Sequence, residues 1–308
     1  AVIDLIDAET AEAAANAAGQ LGGALLRRID PVYNDLRDLC SHFHAVLDYP
    51  DEDIEDFGRD ELAQTLRRAA EAVSALLSTY ERGKILRQGV RTVLLGRPNA
   101  GKSSLFNALA GFDRVIVTEI AGTTRDTVEE PVKVGGVLLR LTDTAGIREA
   151  GDRIEAMGVE RSERAAREAQ LAIFVCDGSR PLDAEDERAM QAALDAPEHI
   201  AVVNKSDLPL CISPEALPFD TVFTLSAATG EGLDALTREI ARRFAADTRC
   251  DGSLLTNPRQ FGALSRAQDA LARAVAYIRT NDDPQADFAN LDFYRVGIRF
   301  LSGVYDGT

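Results

Sequence analysis

Hydrophobic positions follow two different patterns along the 308 residues of the chain. The first stretch, up to residue 88, and the last, from about residue 251, repeat apolar positions at the spacing of an amphipathic helix. The stretch between them contains short apolar runs that alternate with helical segments, as in βαβ units. The predicted domains are a helical part over residues 1–88, an α/β domain over 89–248 and a second helical part over 249–308.

The helical flanks carry local signals that predict where helices begin. The Ala-rich residues 8–29 predict one helix with Asp7 as its N-cap, and Asp30-Pro31 predicts a kink or the start of a new helix. Residues 61–80 predict another helix with an apolar stripe. Neither flank has enough apolar surface to fold alone, so we expect both flanks to form one helical domain around an inserted α/β domain.

The central stretch predicts a six-stranded, mostly parallel sheet, because strands and helices alternate along it. Gly135-Gly136 separates two predicted strands by two residues, which indicates a hairpin and makes one edge strand antiparallel. In such sheets ligands bind at the carboxyl ends of the strands. The predicted strands span residues 91–95, 127–134, 137–142, 171–176, 200–203 and 221–225, and the predicted helices span 102–110, 155–168, 183–195 and 231–245.

The turn after the first predicted strand carries the strongest chemical signal. Residues 96–104 read Gly-Arg-Pro-Asn-Ala-Gly-Lys-Ser-Ser and fit G-x-x-x-x-G-K-[ST], the phosphate-binding P-loop. The glycines allow several backbone N–H groups to point at one oxyanion, Lys102 adds a positive charge at the terminal phosphates, and Ser103 offers a hydroxyl to Mg²⁺. A strand before the loop and a helix after it provide the context that this motif requires.

The choice of base is predicted by residues 204–207, which read Asn-Lys-Ser-Asp after an apolar strand. The Asp207 carboxylate can accept hydrogen bonds from both N1–H and the 2-amino group of guanine, a donor pair that adenine lacks. Asn204 has two alternative roles, since it can bond the base edge or brace the P-loop. The Lys205 stem can cover the ring face, and the loop at 226–228 suits a backbone N–H that meets guanine O6.

Two further segments fit the loops that contact the γ-phosphate in GTPases. Residues 143–146 read Asp-Thr-Ala-Gly after a strand, so Asp143 can hold Mg²⁺ through its water shell and the Gly146 amide can reach the phosphate. Residues 122–126 read Gly-Thr-Thr-Arg-Asp, where Thr124 is the natural second protein ligand of Mg²⁺ when the γ-phosphate is present.

The residue that orients the attacking water in Ras-like enzymes is a Gln after Asp-x-x-Gly, but here that position is Ile147. A carboxylate of the following segment is therefore expected to act on the water directly or through a second water. Asn99 has two alternative roles: it holds a monovalent cation, or it braces the loop by hydrogen bonds. The carboxylates of that segment are Glu149, Asp152, Glu155 and Glu160.

Composition narrows the function classes. The net charge of −16 disfavours strong nonspecific binding of nucleic acid by this chain alone, and no apolar run approaches the roughly 18 residues of a membrane helix. The cysteines show no pairing framework, which suits a reducing cytoplasm. Because the chain begins with Ala1 and contains only two Met, we expect a fragment or a processed product. The cysteines are Cys40, Cys176, Cys211 and Cys250.

Four segments of the chain carry a family resemblance: the P-loop, Ile-Ala-Gly-Thr-Thr-Arg-Asp at 120–126, Asp-Thr-Ala-Gly-Ile-Arg at 143–148 and Asp-Arg-Ile-Glu-Ala-Met-Gly-Val-Glu-Arg-Ser at 152–162. Together they closely resemble the MnmE (TrmE) family of tRNA-modification GTPases. The resemblance implies a Ras-like P-loop G domain inserted into an all-α domain. It also implies that Glu155 is the catalytic carboxylate. The predicted catalytic residues are therefore Glu155 and Lys102. The implied ligands are Ser103 and Thr124 for Mg²⁺, and Asn99, Thr118, Ile120 and Thr123 for K⁺.

The candidate GTP-binding residues, from motifs and resemblance together, belong to five loops of the predicted domain. They are Asn99, Ala100, Gly101, Lys102, Ser103, Ser104, Thr118, Glu119, Ile120, Ala121, Gly122, Thr123, Thr124, Asp143, Thr144, Ala145, Gly146, Asn204, Lys205, Asp207, Ser226, Ala227 and Ala228.

The resemblance further implies partners and missing parts. Members of the family form homodimers whose G domains meet when GTP and K⁺ bind, and they pair with a FAD-dependent partner (MnmG, or GidA) to modify the wobble uridine of certain tRNAs. The family has a folate-binding N-terminal domain and a Cys-x-Gly-Lys tail, neither of which occurs in the 308 residues. We therefore expect this chain to switch and hydrolyse GTP without completing tRNA modification.

One alternative function is a nucleotide-gated RNA-binding or ribosome-assembly GTPase of the Era or Der kind. Such proteins share the P-loop Asn and the hydrophobic residue after Asp-x-x-Gly. An Era-like protein should carry a basic RNA-binding module after the G domain, and a Der-like protein a second P-loop. The sequence contains neither feature, and intact Lys102, Thr124 and Asp143 argue against a scaffold that holds nucleotide passively.

Overall fold

The computed structural model describes residues 2–49, 59–112, 129–142, 164–245 and 251–280. The chain divides into two compact units, one formed by Ala1–Arg87 with Thr248–Thr308 and the other by Gln88–Asp247. These limits lie within one residue of the predicted domain limits. Whether each unit folds as an independent domain remains a prediction, because compactness alone does not test it.

The elements are numbered in chain order through both units. The helices are α1 (Val2–Ile6), α2 (Ala11–Leu21), α3 (Ala24–Asp48), α4 (Arg59–Leu77), α5 (Tyr80–Gln88), α6 (Lys102–Phe112), α7 (Ala184–Leu194), α8 (Leu233–Phe244) and α9 (Pro258–Thr280). The strands are β1 (Val90–Leu95), β2 (Glu129–Val134), β3 (Val137–Thr142), β4 (Leu171–Asp177), β5 (Glu198–Asn204) and β6 (Val222–Thr224). Residues 164–168 are also helical, and Pro214–Ala216 form a single 3₁₀ turn.

The regular elements described in the first unit are all helices, and their core joins the N-terminal and C-terminal parts of the chain. Ile29 of α3, Leu66 of α4 and Leu264 of α9 are buried in one apolar cluster. Because α9 follows the α/β unit in sequence while α3 and α4 precede it, the α/β unit is an insertion into a helical unit. None of the described helices is both long and apolar enough to cross a membrane.

The predicted helix over residues 8–29 is wrong in its limits. The first long helix, α2, is capped by Thr10 rather than Asp7, since Thr10 Oγ1 accepts a hydrogen bond from the N–H of Ala13 at 3.1 Å. It ends at Leu21 with Gly22 as its C-cap, and Gly23, with φ of 76°, precedes the next helix. The two adjacent glycines therefore divide the single helix that composition predicted over residues 8–29 into two helices.

One of the two alternatives predicted at Asp30-Pro31, the start of a new helix, is wrong because Pro31 lies inside α3, whereas a kink there stays a prediction. Proline removes one donor to the preceding turn, a loss that favours helix starts. Here the buried positions Ile29, Val32 and Leu36 continue the apolar face on both sides of Pro31. Burial of that face maintains the helix through the missing hydrogen bond.

The predicted helix over 61–80 ends earlier than expected, at Leu77. The hydroxyls of Ser78 and Thr79 donate to the carbonyl oxygens of Ala75 and Leu76 at 2.8 and 2.7 Å. Such local side-chain bonds compete with the helical ladder. Tyr80 consequently begins α5 instead of ending the preceding helix.

The sheet of the second unit has the predicted six strands in the order β2-β3-β1-β4-β5-β6. Among the described strands, only the β2–β3 pair is antiparallel, so the predicted single antiparallel edge strand is confirmed. Val134 pairs with Val137 across Gly135-Gly136, whose φ angles are 58° and 84°. This confirms the two-residue hairpin. The parallel strands β1, β4 and β5 are neighbours, so the loops that follow them emerge side by side.

Candidate functional site

The loop after β1 requires glycine at both ends of the P-loop motif. Gly96 has φ of 146°, and a Cβ there would lie 2.1 Å from the carbonyl oxygen of Val175. Gly101 has φ of 97°, and a Cβ there would lie 2.0 Å from Asn204 Nδ2. Larger residues would clash with strands β4 and β5. The loop is therefore held against the ends of the neighbouring strands.

The helix that follows the loop presents its positive end to the same place. Helix α6 begins at Lys102, and its first helical hydrogen bond runs from the N–H of Leu105 to the carbonyl oxygen of Gly101 at 2.8 Å. The N–H groups of the first turn precede that bond and point out of the helix end. A helix N-terminus with free N–H groups favours an anion such as phosphate.

The charge of Lys102 lies inside this loop. Its Nζ donates to the carbonyl oxygens of Gly96 at 2.6 Å and Arg97 at 2.8 Å. Burial lowers the pKa of Lys102 below its ordinary value, although the charge of Asp186 opposes that change. A lowered pKa means that the protein compensates the ammonium incompletely, and a bound phosphate would supply the missing negative charge.

Asn204 connects three of the predicted loops. Its Nδ2 donates to the carbonyl oxygen of Ala100 in the P-loop at 2.9 Å, and its Oδ1 accepts from the N–H of Ala227 at 3.0 Å. The side chain is 2% exposed, so both bonds are shielded from water. Of the two roles that the sequence allowed, Asn204 here braces the P-loop. The structure thereby brings residues 96–103, 204–207 and 226–228 together.

The remaining residues of the base-recognition motif differ in exposure. Asp207 is exposed, and Lys205 is half-buried with Nζ 2.6 Å from Asp177 Oδ2. In the loop after β6, Ser226 is buried, Ala227 half-buried and Ala228 exposed. The Ser226 hydroxyl accepts from the N–H of Thr229 at 3.3 Å, which ties this loop to itself.

The oxygen donors suited to hard cations are half-buried or exposed. Ser103 is half-buried in the first turn of α6, and Asn99 is exposed with φ of 63°, a left-handed conformation that Asn tolerates. Mg²⁺ and K⁺ both prefer oxygen ligands, so the two side chains fit these ions chemically. Within the described ranges, no group of three or more His, Cys, Asp or Glu is placed to hold a metal.

A second set of charges lies beside the P-loop. Arg97 forms an ion pair with Asp183, the N-cap of α7, and Arg180 donates to Asp183 at 3.3 Å and to Asp186 at 2.8 Å. Asp186 is 1% exposed, and its burial raises its pKa. Hydrogen bonds led by that from the Asp186 N–H lower the pKa of Asp183. The start of α7 is thus linked to the P-loop through Arg97.

Part of the predicted site lies outside the described residues. This group contains all of the expected γ-phosphate loops, the second Mg²⁺ ligand, three of four K⁺ ligands and the catalytic carboxylate. Its members are Thr118, Glu119, Ile120, Ala121, Gly122, Thr123, Thr124, Asp143, Thr144, Ala145, Gly146 and Glu155. Their roles remain predictions.

The Asn204 side chain joins the P-loop to the loop at 226–228, and in sequence this α/β unit lies between the two parts of a helical unit, as expected of an inserted G domain. A family model described as the MnmE helical domain matches residues 1–297 of this chain. The chain belongs to the MnmE family. The match extends over both units, and it confirms the family resemblance that the motifs predict.

Curated members of the MnmE family align with nearly the whole chain. The tRNA modification GTPase MnmE of Heliobacterium modesticaldum is 39% identical over 97% of this chain and 65% of its own length. The Aquifex aeolicus relative of the same name is 38% identical over 92% and 63%, and that of Roseiflexus sp. is 42% identical over 92% and 64%. The chain therefore spans a little less than two thirds of these MnmE proteins.

Solved structures with some similarity to this MnmE-family chain include Aquifex aeolicus Era bound to GDP.AlF4-. That structure is 26% identical, covers 59% of this chain and 66% of its own, and has a TM-score of 0.38. Because this TM-score is low, the fold is established by the strand order and by the family match instead.

Two features of the site were missed by sequence reasoning. Asp177 anchors Lys205, and the pair formed by Arg97 and Asp183 joins the P-loop to α7. Asp177 directly follows the predicted strand over 171–176, so its position at a strand end was a usable signal. The partner of Arg97 lies 86 positions away and is fixed only by the tertiary fold.

Proposed function

We propose that the chain binds and hydrolyses GTP, and that in the whole protein this hydrolysis drives modification of the tRNA wobble uridine. The observation that carries the proposal is the pair of hydrogen bonds by which Asn204 joins the P-loop to the loop at 226–228. This contact supports a single site shared by the proposed phosphate-binding loop and the proposed base-recognition loop. The name shared by the MnmE relatives supports the tRNA part of the proposal.

Recognition of GTP follows from the chemistry of the two loops. The N–H groups at the start of α6 and the Lys102 ammonium attract negative charge, which suits the phosphates. Asp207, exposed at the other loop, accepts from the two donors of the guanine edge. Support for this orientation comes from Asn204, which lies between the two loops and contacts the main chain of each.

The metals are assigned to the same site. Ser103 and Thr124 would hold Mg²⁺, with Asp143 binding its water shell. Asn99, Thr118, Ile120 and Thr123 would hold K⁺, whose charge offsets the negative charge that develops on the phosphoryl oxygens. The donor chemistry of Ser103 and the exposure of Asn99 support this assignment.

The catalytic step needs a group that orients water, because Ile147 cannot donate or accept a hydrogen bond. Glu155 is assigned that role, acting on the attacking water through a second water, while Lys102 stabilises the terminal phosphates. Removal of Glu155 should therefore abolish hydrolysis without weakening nucleotide binding.

The partners belong to the whole protein. We propose a cytoplasmic homodimer whose G domains meet when GTP and K⁺ are bound, and which works with a FAD-dependent partner of the MnmG kind on tRNA. A folate site is expected only in an N-terminal domain outside this sequence. Family membership supports these assignments.

The test is GTP hydrolysis by this chain with Mg²⁺, in K⁺ and in Na⁺, across a range of protein concentrations. The rate per molecule should rise with concentration, and Na⁺ should lower it at least tenfold, on the scale of losing one cationic stabiliser. Glu155→Ala should bind GDP like the wild type and hydrolyse no GTP. Equal rates in both salts would remove the K⁺ assignment, and failure to bind any guanine nucleotide would remove the proposed function.

A further inference from the structure

The ammonium of Lys205 is anchored by a residue from the neighbouring strand. Asp177, the last residue of β4, accepts from Lys205 Nζ through Oδ2 at 2.6 Å. Its Oδ1 accepts from both the N–H and the hydroxyl of Ser179, at 3.0 and 2.6 Å. The carboxylate is thus held by contacts to both oxygens and lies in a nearly buried residue that is 8% exposed.

The charge state of Asp177 suits this role. Burial by itself raises the pKa of Asp177, but the hydrogen bonds from Lys205 and Ser179 outweigh burial and lower the pKa below its ordinary value. Asp177 is consequently a carboxylate at neutral pH, and its charge faces the ammonium.

The main chain of Lys205 is fixed from the same strand. Asp177 pairs in register with Asn204, and the N–H of Gly178 donates to the carbonyl oxygen of Asn204 at 2.9 Å. Lys205 itself has φ of 65°, a conformation that non-glycine residues rarely adopt. The methylene chain of Lys205 therefore runs between two fixed ends while its side chain remains 34% exposed.

We infer that Asp177 is a positioning residue for guanine recognition and acts through Lys205. The inference rests on the proposed function, in which the Lys205 stem covers one face of the base. A free lysine side chain loses rotamer freedom when it packs against a ring, and that loss weakens binding. Asp177 restricts the side chain before nucleotide binds, so less freedom is lost. A ring face is common to guanine and hypoxanthine, so the benefit is the same for both.

The experiment measures dissociation constants for GDP and for inosine diphosphate (IDP), which lacks the 2-amino group. Asp177→Asn should weaken both nucleotides about tenfold, which corresponds to about 1.4 kcal/mol. The ratio of the two constants should stay at its wild-type value. In the Lys205→Met background, where no ammonium remains to be anchored, Asp177→Asn should weaken binding less than twofold further.

Two variants serve as controls. Asp220→Asn makes the same change at an exposed carboxylate of the same unit and should leave both constants unchanged. Asp207→Ala removes the acceptor of the 2-amino group, so it should weaken GDP more than IDP and show that the ratio responds. If Asp177→Asn does not fold, Asp177→Glu keeps the charge but displaces it, and should weaken both nucleotides equally.

The outcomes separate this inference from the proposed function. Wild-type protein that binds GDP, with an Asp177→Asn variant that binds within twofold of it, overturns the positioning role alone. The same holds if the Asp177→Asn effect persists in full in the Lys205→Met background, since Asp177 would then act on the fold rather than through Lys205. Wild-type protein that binds neither nucleotide overturns both.

Discussion

The helical unit and the α/β unit use polar side chains for different purposes. In the helical unit, Gln20 donates to the carbonyl oxygen of Leu254 at 2.7 Å, and Thr79 accepts from the N–H of Leu255 at 3.1 Å. These bonds fasten the returning chain beside a core made of apolar side chains. In the α/β unit, by contrast, buried polar side chains such as Asn204 stand at the carboxyl ends of strands and hold loops to each other.

This difference shows what each unit demands from its sequence. An apolar core requires that the side chains on the buried face of each helix fill the available volume. Different apolar side chains of similar size can meet this requirement. A loop site requires fixed positions for main-chain groups, which only specific donors and acceptors provide. We therefore expect truncation of an apolar residue in the helical unit to affect stability alone, and truncation of a polar residue at the strand ends to affect stability and binding together.

The largest expected effect is that of Leu66→Ala. Leu66 is fully buried in the helical core, so the variant leaves a cavity and should lower the free energy of unfolding by about 3 kcal/mol. Hydrogen exchange should show lost protection in α4 and α9, while the dissociation constant for GDP stays within twofold of the wild type. Leu21→Ala, at a position 47% exposed, is the matched control and should change little.

A large loss of GDP affinity in Leu66→Ala, without general unfolding, would contradict the division between the two units. It would mean that the helical core also sets the geometry of the nucleotide site. The measurement therefore tests whether the helical core is independent of nucleotide binding, as well as the size of the cavity effect.

The next effect in size is that of Asn204→Ala. The variant leaves the carbonyl oxygen of Ala100 and the N–H of Ala227 without their partner, so the free energy of unfolding should fall by about 2 kcal/mol. GDP binding should weaken about a hundredfold, because the P-loop and the loop at 226–228 lose their connection. Calorimetric binding and thermal unfolding provide the two readouts. Asn107→Ala on the exposed side of α6 is the control, and equal behaviour of the two variants would disprove the bracing role.

Sequence analysis predicted the α/β unit better than the helical unit, for a physical reason. The strands, the Gly135-Gly136 hairpin and the P-loop each depend on a local pattern: an apolar run, a turn dipeptide, or a glycine spacing. In the helical flanks, the predicted cap Asp7 and the predicted helix start at Asp30-Pro31 were wrong. Those choices depend on which face is buried, and burial is decided by tertiary packing.

In the candidate site, too, local sequence patterns did not specify the tertiary contacts of individual side chains. The motif over 204–207 indicated a base-recognition loop, but two roles for Asn204 fitted equally well. Only the pairing of β5 with its neighbours brought its side chain within reach of Ala100 and Ala227. The contact between Asp177 and Lys205 likewise depends on the register of β4 against β5, which no local pattern specifies.

The smallest expected effect is that of Glu239→Gln, at a charge cluster of the α/β unit away from the strand ends that form the site. Hydrogen bonds from Arg242 and then Arg243 lower the pKa of Glu239 to about 2, from an ordinary value of 4.5. The variant should cost about 1 kcal/mol at neutral pH, a modest loss because Arg243 retains Glu198 and Thr221 as partners at 2.7 Å.

The pH dependence of this loss follows from the lowered pKa. The contribution of Glu239 is fully present above pH 4.5, where the unfolded chain is also ionised, and it disappears as the pH falls toward 2 and the folded carboxylate is protonated. Denaturant unfolding of wild type and variant between pH 7 and pH 2 should therefore give converging free energies. Glu231→Gln, at an exposed position, is the control for the substitution itself and should change the free energy of unfolding at neutral pH much less. GDP affinity should be unchanged in both variants, because a polar residue in the α/β unit affects binding only where it holds the loops at the strand ends. A difference between wild type and Glu239→Gln that stays constant across this pH range would show that the stabilisation does not come from the ionised pair.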